Sequence, residues 1–233
     1  MKWNSELHHE TLSASSITCI EEKKIIAQKV SDRVQNGEII GFGSGSTSYL
    51  AVLSISKRIR EENLHIKAIP TSYEIEMLCH QLGIETTTLL HDRPDWGFDG
   101  ADEINVKGMM IKGRGGALLR EKLVMAAAPY TYILVDPSKK VEEVGKKTAI
   151  PLEILPESLF LVQTHLRDVF QNRMEHAHLR LAKGKDGPII TEKGNLLLDV
   201  KLTHALEEDM YTLKQLTGVV ESGLFVGFPV KTL

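Results

Sequence analysis

Apolar side chains recur at helical spacing in the first organised stretch of the chain. The sequence EEKKIIAQKVSDRVQNG, which begins at residue 21, places Ile25, Ile26, Val30 and Val34 at helical spacing. Gly37 follows where the cap of a helix is expected, since glycine adopts the left-handed conformation that ends many helices. The pattern therefore predicts a helix that ends near Gly37.

Beyond this helix, short apolar runs alternate with helical patterns. A buried strand and a glycine turn in EIIGFGSGST precede an amphipathic helix, and the strand HIKAIPT precedes the helix SYEIEMLCHQLG. The strands IETTTL and WGFDGADEI, the helix ALLREKLVMAAA and the apolar strand TYILVD follow. Strands that alternate with helices predict an α/β fold with a parallel sheet and right-handed crossovers.

The pattern changes after Gly145. PLEILP, the helix ESLFLVQTHLRDVFQ and the strands HLRLA, GPIIT and NLLLDV, with the turn sequences KGKDG and EKG, are typical of an antiparallel meander. A helix near His204 to Leu216 follows, and GVVESGLFVGF is expected to return to the first domain. We therefore expect a flexible extension at residues 1–20, a parallel-sheet domain at 21–145 plus 217–233, and a small α+β domain at 146–216.

Composition and charge argue against two classes of protein. The chain of 233 residues is 42% apolar and 25% charged, and no window approaches the roughly 18 consecutive apolar residues of a membrane helix. A net charge of −3 supplies no basic stripe for nucleic acid. Cys19 and Cys79 lack metal-ligand spacing, and the first residues lack the apolar core of a signal peptide, so we expect a cytoplasmic protein.

The turn GFGSGST lies between a predicted strand and a predicted helix. Glycines let the backbone approach an anion, and the helix N-terminus and the hydroxyls of Ser44, Ser46 and Thr47 supply donors. A plain turn with a Ser or Thr cap is the alternative. Serine stands where the last glycine of the GxGxxG fingerprint belongs, and the Walker pattern lacks its Gly-Lys pair, so neither NAD nor ATP is favoured.

Acidic and basic residues follow in the next two loops. Asp99 and Asp102 of DGADE come at the end of a strand, the edge where open α/β sheets bind ligands, although aspartate also serves as a turn residue there. Lys112 precedes the glycine loop of IKGRGGA, where an ammonium could stabilise a developing oxyanion. Arg114 is a further candidate, and the alternative for both residues is a solvated surface cation. Glu103 is interpreted as structural, because alternation turns it away from its neighbour.

Glu121 is the candidate base. It lies early in a predicted helix between Arg120 and Lys122, so a solvated charged face is the simpler interpretation in isolation. A carboxylate that removes a proton beside a carbonyl must instead face the pocket, and a lysine nine positions earlier would favour its ionised form. The combination of motifs favours the second interpretation.

Two histidine-containing motifs give weaker indications of a functional site. His176 and His178 share one face of a predicted strand, yet no third metal ligand stands nearby, so we expect no metal site. His91 and Asp92 would be the histidine–acid relay of an enzyme resembling amino-sugar-phosphate deaminases. Nothing else in the sequence supports that relay.

Several ordered motifs together resemble those of ribose-5-phosphate isomerases of the A type. GSGST, DGADEIN, KGRGGALLREK, VDPSK, PLEILP and TEKGNLLLDV carry the resemblance, from Glu21 to Phe225. It implies a Rossmann-like domain carrying a smaller ferredoxin-like α+β domain. It also implies a homodimer or homotetramer that interconverts ribose 5-phosphate and ribulose 5-phosphate in the pentose phosphate pathway, without a metal or other cofactor.

Matching position by position, the resemblance implies four catalytic residues. Glu121 would move a proton between C2 and C1 through an enediolate, and Lys112 would stabilise the oxyanion. Asp99 and Asp102 would bind the sugar oxygens and assist ring opening or proton transfer at O1 and O2. The implied substrate-binding residues are Ser44, Gly45, Ser46, Thr47, Asp99, Gly100, Ala101, Asp102, Lys112, Gly113, Arg114, Gly115 and Lys139. Lys23 or Lys24 is expected to reach the phosphate.

One alternative and one departure stay open. A non-catalytic sugar-phosphate sensor would need the anion-binding turn but not Glu121 with Lys112. The family commonly continues after the GLF stretch into another strand, whereas this chain ends in GFPVKTL, which leaves the closing strand of the first domain open.

Overall fold

The computed structural model describes residues 18–233, over which helices and strands alternate as expected. The helices are α1 (Ile20–Ser31), α2 (Ser46–Glu62), α3 (Tyr73–Leu82), α4 (Leu118–Ala127), α5 (Leu159–Phe170) and α6 (Asp209–Gln215). The strands are β1 (Ile39–Phe42), β2 (Lys67–Pro70), β3 (Glu85–Thr86), β4 (Trp96–Gly100), β5 (Glu103–Ile104), β6 (Met110–Ile111), β7 (Thr131–Leu134), β8 (Ile150–Ile154), β9 (Met174–Leu179), β10 (Leu196–Leu202), β11 (Val219–Ser222), β12 (Leu224–Phe225) and β13 (Val230–Thr232).

A six-stranded sheet has the strand order of a Rossmann-like fold. Its strands run β3-β2-β1-β4-β7-β13, and all of the pairings between them are parallel. The chain order reverses between β1 and β4, because β1 pairs with β2 on one side and with β4 on the other. In open α/β sheets, ligands bind in the crevice at the carboxyl ends of two such strands.

Helix α4 packs closely against the sheet because β1 has a glycine, Gly41, at the point of contact. A side chain at Gly41 of β1 would place its Cβ 2.5 Å from Val124 Cγ1 of α4. The missing side chain therefore lets the helix approach the sheet closely. Helices α1 and α2 pack against each other, where Ala27, Val30 and Ile55 are completely buried.

The second unit is ferredoxin-like. Its elements follow the chain order β8, α5, β9, β10, α6, β11, and its antiparallel sheet has the order β11-β8-β10-β9. Val162, Leu166 and Phe170 of α5 and Leu213 of α6 pack into a separate apolar core with this sheet. These are the connectivity and strand order of a split βαβ fold. The expected combination of a Rossmann-like sheet and a smaller α+β unit is confirmed.

The C-terminal strands divide among three sheets. Strand β11 pairs with β8 in the ferredoxin-like sheet, β12 pairs with β6 in a three-stranded sheet with β5, and β13 pairs with β7 in the parallel sheet. The segment GVVESGLFVGF was expected to return to the first domain, but its first strand, β11, belongs to the ferredoxin-like sheet. Strand β13 closes the parallel sheet. The domain boundaries themselves stay a prediction.

Three local expectations were wrong. Helix α1 ends at Ser31, and Gly37 instead lies in the turn before β1, with a φ of 88°. The segment GPIIT forms isolated bridges at Pro188 and Ile190 rather than a strand. Residues 18–20 belong to a turn and the start of α1, while the rest of the expected N-terminal extension lies outside the described residues. Within residues 18–233, no helix is long and apolar enough to cross a membrane.

Candidate functional site

A cavity of about 370 Å³ lies at the point where the strand order reverses. The turns after β1 and β4 and the loop after β6 open into it, as the topology of the sheet predicts. Twelve of the thirteen predicted substrate-binding residues line this cavity, together with Glu121. The exception is Asp99, which lies behind the cavity wall.

Three buried ionisable side chains meet at the cavity. Lys112 Nζ lies 3.0 Å from Asp99 Oδ2 and 3.4 Å from Glu121 Oε2. The exposed fractions of Lys112, Asp99 and Glu121 are 2%, 3% and 6%. Lys112 also donates a hydrogen bond to the carbonyl of Gly100. The predicted lysine, aspartate and glutamate therefore form one buried cluster, and the solvated-face interpretation of Glu121 was wrong.

Asp99 is held by the backbone of two turns. Its Oδ1 accepts hydrogen bonds from the N–H groups of Ser44, at 3.2 Å, and Gly100, at 2.7 Å. Its Oδ2 faces Lys112. Because both carboxylate oxygens are occupied, Asp99 fixes the position of the ammonium and joins the turns after β1 and β4.

Gly43 leaves room for this carboxylate. A Cβ there would lie 2.4 Å from Asp99 Cγ and from the carbonyl oxygen of Phe98. We expect Gly43→Ala to lower the free energy of unfolding by about 1–3 kcal/mol and to impair catalysis, because Asp99 and the strand backbone must shift. Urea denaturation and steady-state kinetics measure the two effects. Gly115→Ala, where a Cβ meets nothing within 4 Å among residues 18–233, should leave stability unchanged and is the control for it.

Burial dominates the electrostatics of Glu121. Desolvation raises the pKa of its carboxyl from 4.5 to about 8, with Lys112 opposing the shift and Asp99 and Asp102 adding to it. Its Oε2 is buried and accepts no close hydrogen bond from residues 18–233, with Lys112 Nζ 3.4 Å away as its ion-pair partner. An unsatisfied carboxylate oxygen at a cavity wall is suited to accept a proton from a bound molecule.

This pKa predicts how stability responds to pH. Because the pKa of Glu121 is about 8 when folded and 4.5 ordinarily, the folded state binds the proton more tightly. The stability that this proton contributes is present below about pH 4.5 and is lost as the pH rises through about 8. Glu121→Gln removes the titration, so its unfolding free energy should exceed that of the parent by a few kcal/mol above about pH 8 and by little near pH 5.

Denaturant titrations of both proteins across this pH range measure the difference. Glu22→Gln, which changes an exposed carboxylate on α1, is the matched control and should show no such trend. A difference between Glu121→Gln and the parent that stays constant with pH would contradict the raised pKa.

Asp102 differs from Asp99 because it faces the cavity. Its Oδ2 accepts a hydrogen bond from the N–H of Arg114 at 3.1 Å, and its Oδ1 lies 3.7 Å from Arg114 Nε. The Arg114 side chain is 74% exposed, so its pairing with Asp102 is weakly held. Asp102 is therefore the carboxylate of the aspartate pair that is free to contact a bound molecule.

Another group of cavity-lining residues is suited to an anion. Ser46 and Thr47 begin helix α2, and Lys23 donates a hydrogen bond to Ser46 Oγ at 3.0 Å. Lys139 also lines the cavity, whereas Lys24 forms an exposed ion pair with Glu21. A helix N-terminus with two ammonium groups nearby favours a phosphate.

Five further cavity-lining residues were not identified from the sequence: Thr18, Cys19, Leu134, Asp136 and Ser138. Burial alone would raise the pKa of Asp136, but two hydrogen bonds from Ser138 and the charges of Lys139 and Lys23 lower it. The motif VDPSK after an apolar strand carried the signal for Asp136 and Ser138. Thr18 and Cys19 fell inside the expected extension, which carried no pattern.

The histidine motifs lie away from this site. His176 and His178 stack with ring centroids 4.2 Å apart, and no group of three or more metal-ligating side chains occurs within residues 18–233. Asp92 accepts a hydrogen bond from Thr87 and lies 3.4 Å from Lys67. Among the described residues, neither His91 nor Asp92 lines the cavity.

Comparison with known proteins gives a consistent result. The sequence model of the family described as ribose 5-phosphate isomerase A (phosphoriboisomerase A) matches residues 67–233. A protein of that name from Synechococcus sp. is 40% identical over 209 residues, which are 88% of each chain. One from Methanothermobacter thermautotrophicus is 34% identical over 210 residues, 88% of this chain and 89% of its own.

Solved structures of similar proteins match nearly the whole chain. The ribose 5-phosphate isomerase A of Methanocaldococcus jannaschii superposes with a TM-score of 0.86 at 36% identity, covering 94% of this chain and 95% of its own. A D-ribose-5-phosphate isomerase in complex with phospho-erythronic acid gives a TM-score of 0.85 at 31% identity, covering 91% and 94%. Both similarities extend across the parallel and the ferredoxin-like sheets.

Proposed function

This chain belongs to the ribose 5-phosphate isomerase A family, and we propose that Glu121 is the base with which it interconverts ribose 5-phosphate and ribulose 5-phosphate. The observation that carries the proposal is Glu121 Oε2, which is buried at the cavity wall 3.4 Å from the Lys112 ammonium and accepts no close hydrogen bond from residues 18–233. A base and a cation next to each other can remove a proton beside a carbonyl and stabilise the oxyanion that results.

The reaction needs one base that serves two adjacent carbons. Glu121 removes the proton from C2 of the open-chain aldose, and the electrons of the C–H bond form the C1–C2 double bond of an enediolate. Lys112 stabilises the negative charge that develops at O1. Glu121 then returns the proton to C1, which leaves a ketone at C2. The substrate and product are isomers, so no electron acceptor is required.

The hydroxyl proton also has to move. The proton on O2 must reach O1 as the aldose becomes a ketose, and opening of the sugar ring requires a similar transfer. Asp102 faces the cavity, whereas both oxygens of Asp99 are already occupied. We therefore assign the transfer between oxygens to Asp102 and the positioning of Lys112 to Asp99.

The phosphate is bound away from the reacting carbons. The turn from Ser44 to Thr47 at the start of α2, with Lys23 and Lys139, supplies donors and positive charge to the cavity. Phosphate binding there orients C1 and C2 toward Glu121, so that binding energy at a remote group assists the chemical step. A related isomerase was solved in complex with phospho-erythronic acid, a ligand that carries both a phosphate and a carboxylate.

A turnover assay with the purified parent protein tests the proposed function. Ribose 5-phosphate is supplied in buffer containing EDTA, and the ketose is followed by its absorbance or by NMR. We expect ketose formation until aldose and ketose reach equilibrium. Binding of ribose 5-phosphate without any ketose would favour the alternative, a sugar-phosphate sensor, and would contradict the proposal.

Two further properties stay predictions. We propose that the protein is a cytoplasmic homodimer or homotetramer, as the family resemblance implies. Light scattering coupled to gel filtration measures the mass of the assembly, and a species of one chain mass would contradict the oligomer.

A further inference from the structure

One arginine of the ferredoxin-like unit reaches the glycine loop of the cavity. Arg180 follows β9, and its Nη1 donates hydrogen bonds to the carbonyls of Gly113, at 3.0 Å, and Arg114, at 2.9 Å. Its Nε donates to Asp199 Oδ2 at 2.8 Å, and its Nη2 donates to the other oxygen of Asp199. The guanidinium is thus held by a carboxylate on β10 while it binds two consecutive carbonyls of the loop.

These contacts determine which way the loop directs its N–H groups. In a trans peptide the N–H points opposite to the carbonyl. With the Gly113 carbonyl on Arg180, the next N–H, that of Arg114, points away and donates to Asp102 Oδ2 at 3.1 Å. With the Arg114 carbonyl on Arg180, the N–H of Gly115, a cavity-lining residue, is directed away from Arg180 in the same manner.

The loop needs such support because its backbone is permissive. Gly113 and Gly116 have φ angles of +102° and +84°, and Gly115 has no heavy atom within 4 Å of an added Cβ. Glycines adopt these angles easily but lose more conformational freedom than other residues when fixed. A bidentate arginine, itself 16% exposed, is well suited to fix two peptide groups at once.

We infer that Arg180, oriented by Asp199, is a positioning residue that turns the N–H groups of the 113–115 loop toward Asp102 and the substrate. The inference rests on the proposed isomerase function. It predicts that Arg180 acts chiefly on the chemical step, because these N–H groups hold Asp102 and supply donors to the oxyanion.

The test compares the kcat and KM of Arg180→Ala, Arg180→Lys and Lys183→Ala for ribose 5-phosphate. Lys183 is the matched control. It is an exposed cation, and it lines a surface groove together with Arg180. We expect Arg180→Ala to lower kcat by about 10- to 100-fold with a smaller change in KM. Millimolar guanidinium chloride should restore part of kcat by occupying the vacated site, whereas sodium chloride at the same ionic strength should not. Lys183→Ala should match the parent.

Arg180→Lys keeps the charge but cannot bind two carbonyls and a carboxylate as a planar fork does. We expect Arg180→Lys to fold and to have an intermediate kcat that guanidinium does not improve. If Arg180→Ala fails to fold, the kcat of Arg180→Lys is the test. A parental kcat in either variant, or a loss in Arg180→Ala that guanidinium does not relieve, overturns the inference. An inactive parent would contradict the proposed function instead, so the two failures are distinguishable.

Discussion

Glu121→Gln is expected to lower kcat for ribose 5-phosphate by at least about 10³-fold, because an amide cannot accept the C2 proton. Glutamine has the shape of glutamate, so the Kd for the sugar phosphate should change by less than about threefold. Glu121→Asp keeps a carboxylate but withdraws it by one methylene, and an intermediate loss of about 10²-fold is expected. Stopped assays of ketose and calorimetric titration measure the two quantities.

Glu76→Gln is the matched control for this substitution. Glu76 is a partly buried carboxylate that lies 3.4 Å from Arg120, the neighbour of Glu121 in the chain, and it does not line the cavity. The kcat of Glu76→Gln should stay within about twofold of the parent, since a partly exposed ion pair contributes little to stability. A Glu121→Gln variant with more than about a tenth of the parental kcat would contradict the base assignment.

Lys112→Met is expected to be the second most damaging substitution, because it affects both catalysis and stability. Removal of the ammonium leaves the enediolate oxygen without its cation, which should lower kcat by about 10²- to 10³-fold. It also leaves Asp99 and Glu121 as buried carboxyls without the charge that opposes their raised pKa values. Breaking such a buried pair typically costs about 3–5 kcal/mol.

The loss of stability in Lys112→Met should depend on pH. Without the ammonium, both carboxyls hold their protons to higher pH, so the deficit relative to the parent should grow as the pH rises and should shrink in mild acid. Urea denaturation across this range measures it. Lys57→Met, which replaces a lysine side chain 70% exposed on α2, is the control and should show neither effect. A loss of stability in Lys112→Met that is largest in acid would contradict the pairing of Lys112 with the ionised carboxylates of Asp99 and Glu121.

The sequence predicts the parallel sheet and most of the cavity because both depend on local patterns. Strand and helix periods gave β1, β4 and α4, and the rule that ligands bind at the carboxyl ends of such strands placed the glycine turns together. The buried position of Glu121 was harder to predict from the sequence. Its flanking charges suggested a solvated face, yet Lys122 is buried and binds Glu221 and the carbonyls of Ser222 and Leu224.

Contacts between distant parts of the chain explain what the sequence could not predict. Arg180 binds the carbonyls of Gly113 and Arg114, which precede it by 67 and 66 positions. Strand β11 joins the ferredoxin-like sheet because it pairs with β8, although its apolar pattern fits either sheet. A period of hydrophobicity reports which face of a strand is buried, but not which strand it pairs with.

Exchange of carbon-bound hydrogen with D2O tests the role of Glu121 most directly. The parent should introduce deuterium at C1 of the ketose and at C2 of the recovered aldose, because the proton passes through a carboxyl that exchanges with solvent. Glu121→Gln should bind the sugar phosphate but introduce none over the same period. Deuterium incorporation by Glu121→Gln at the rate of the parent would show that another group removes the proton.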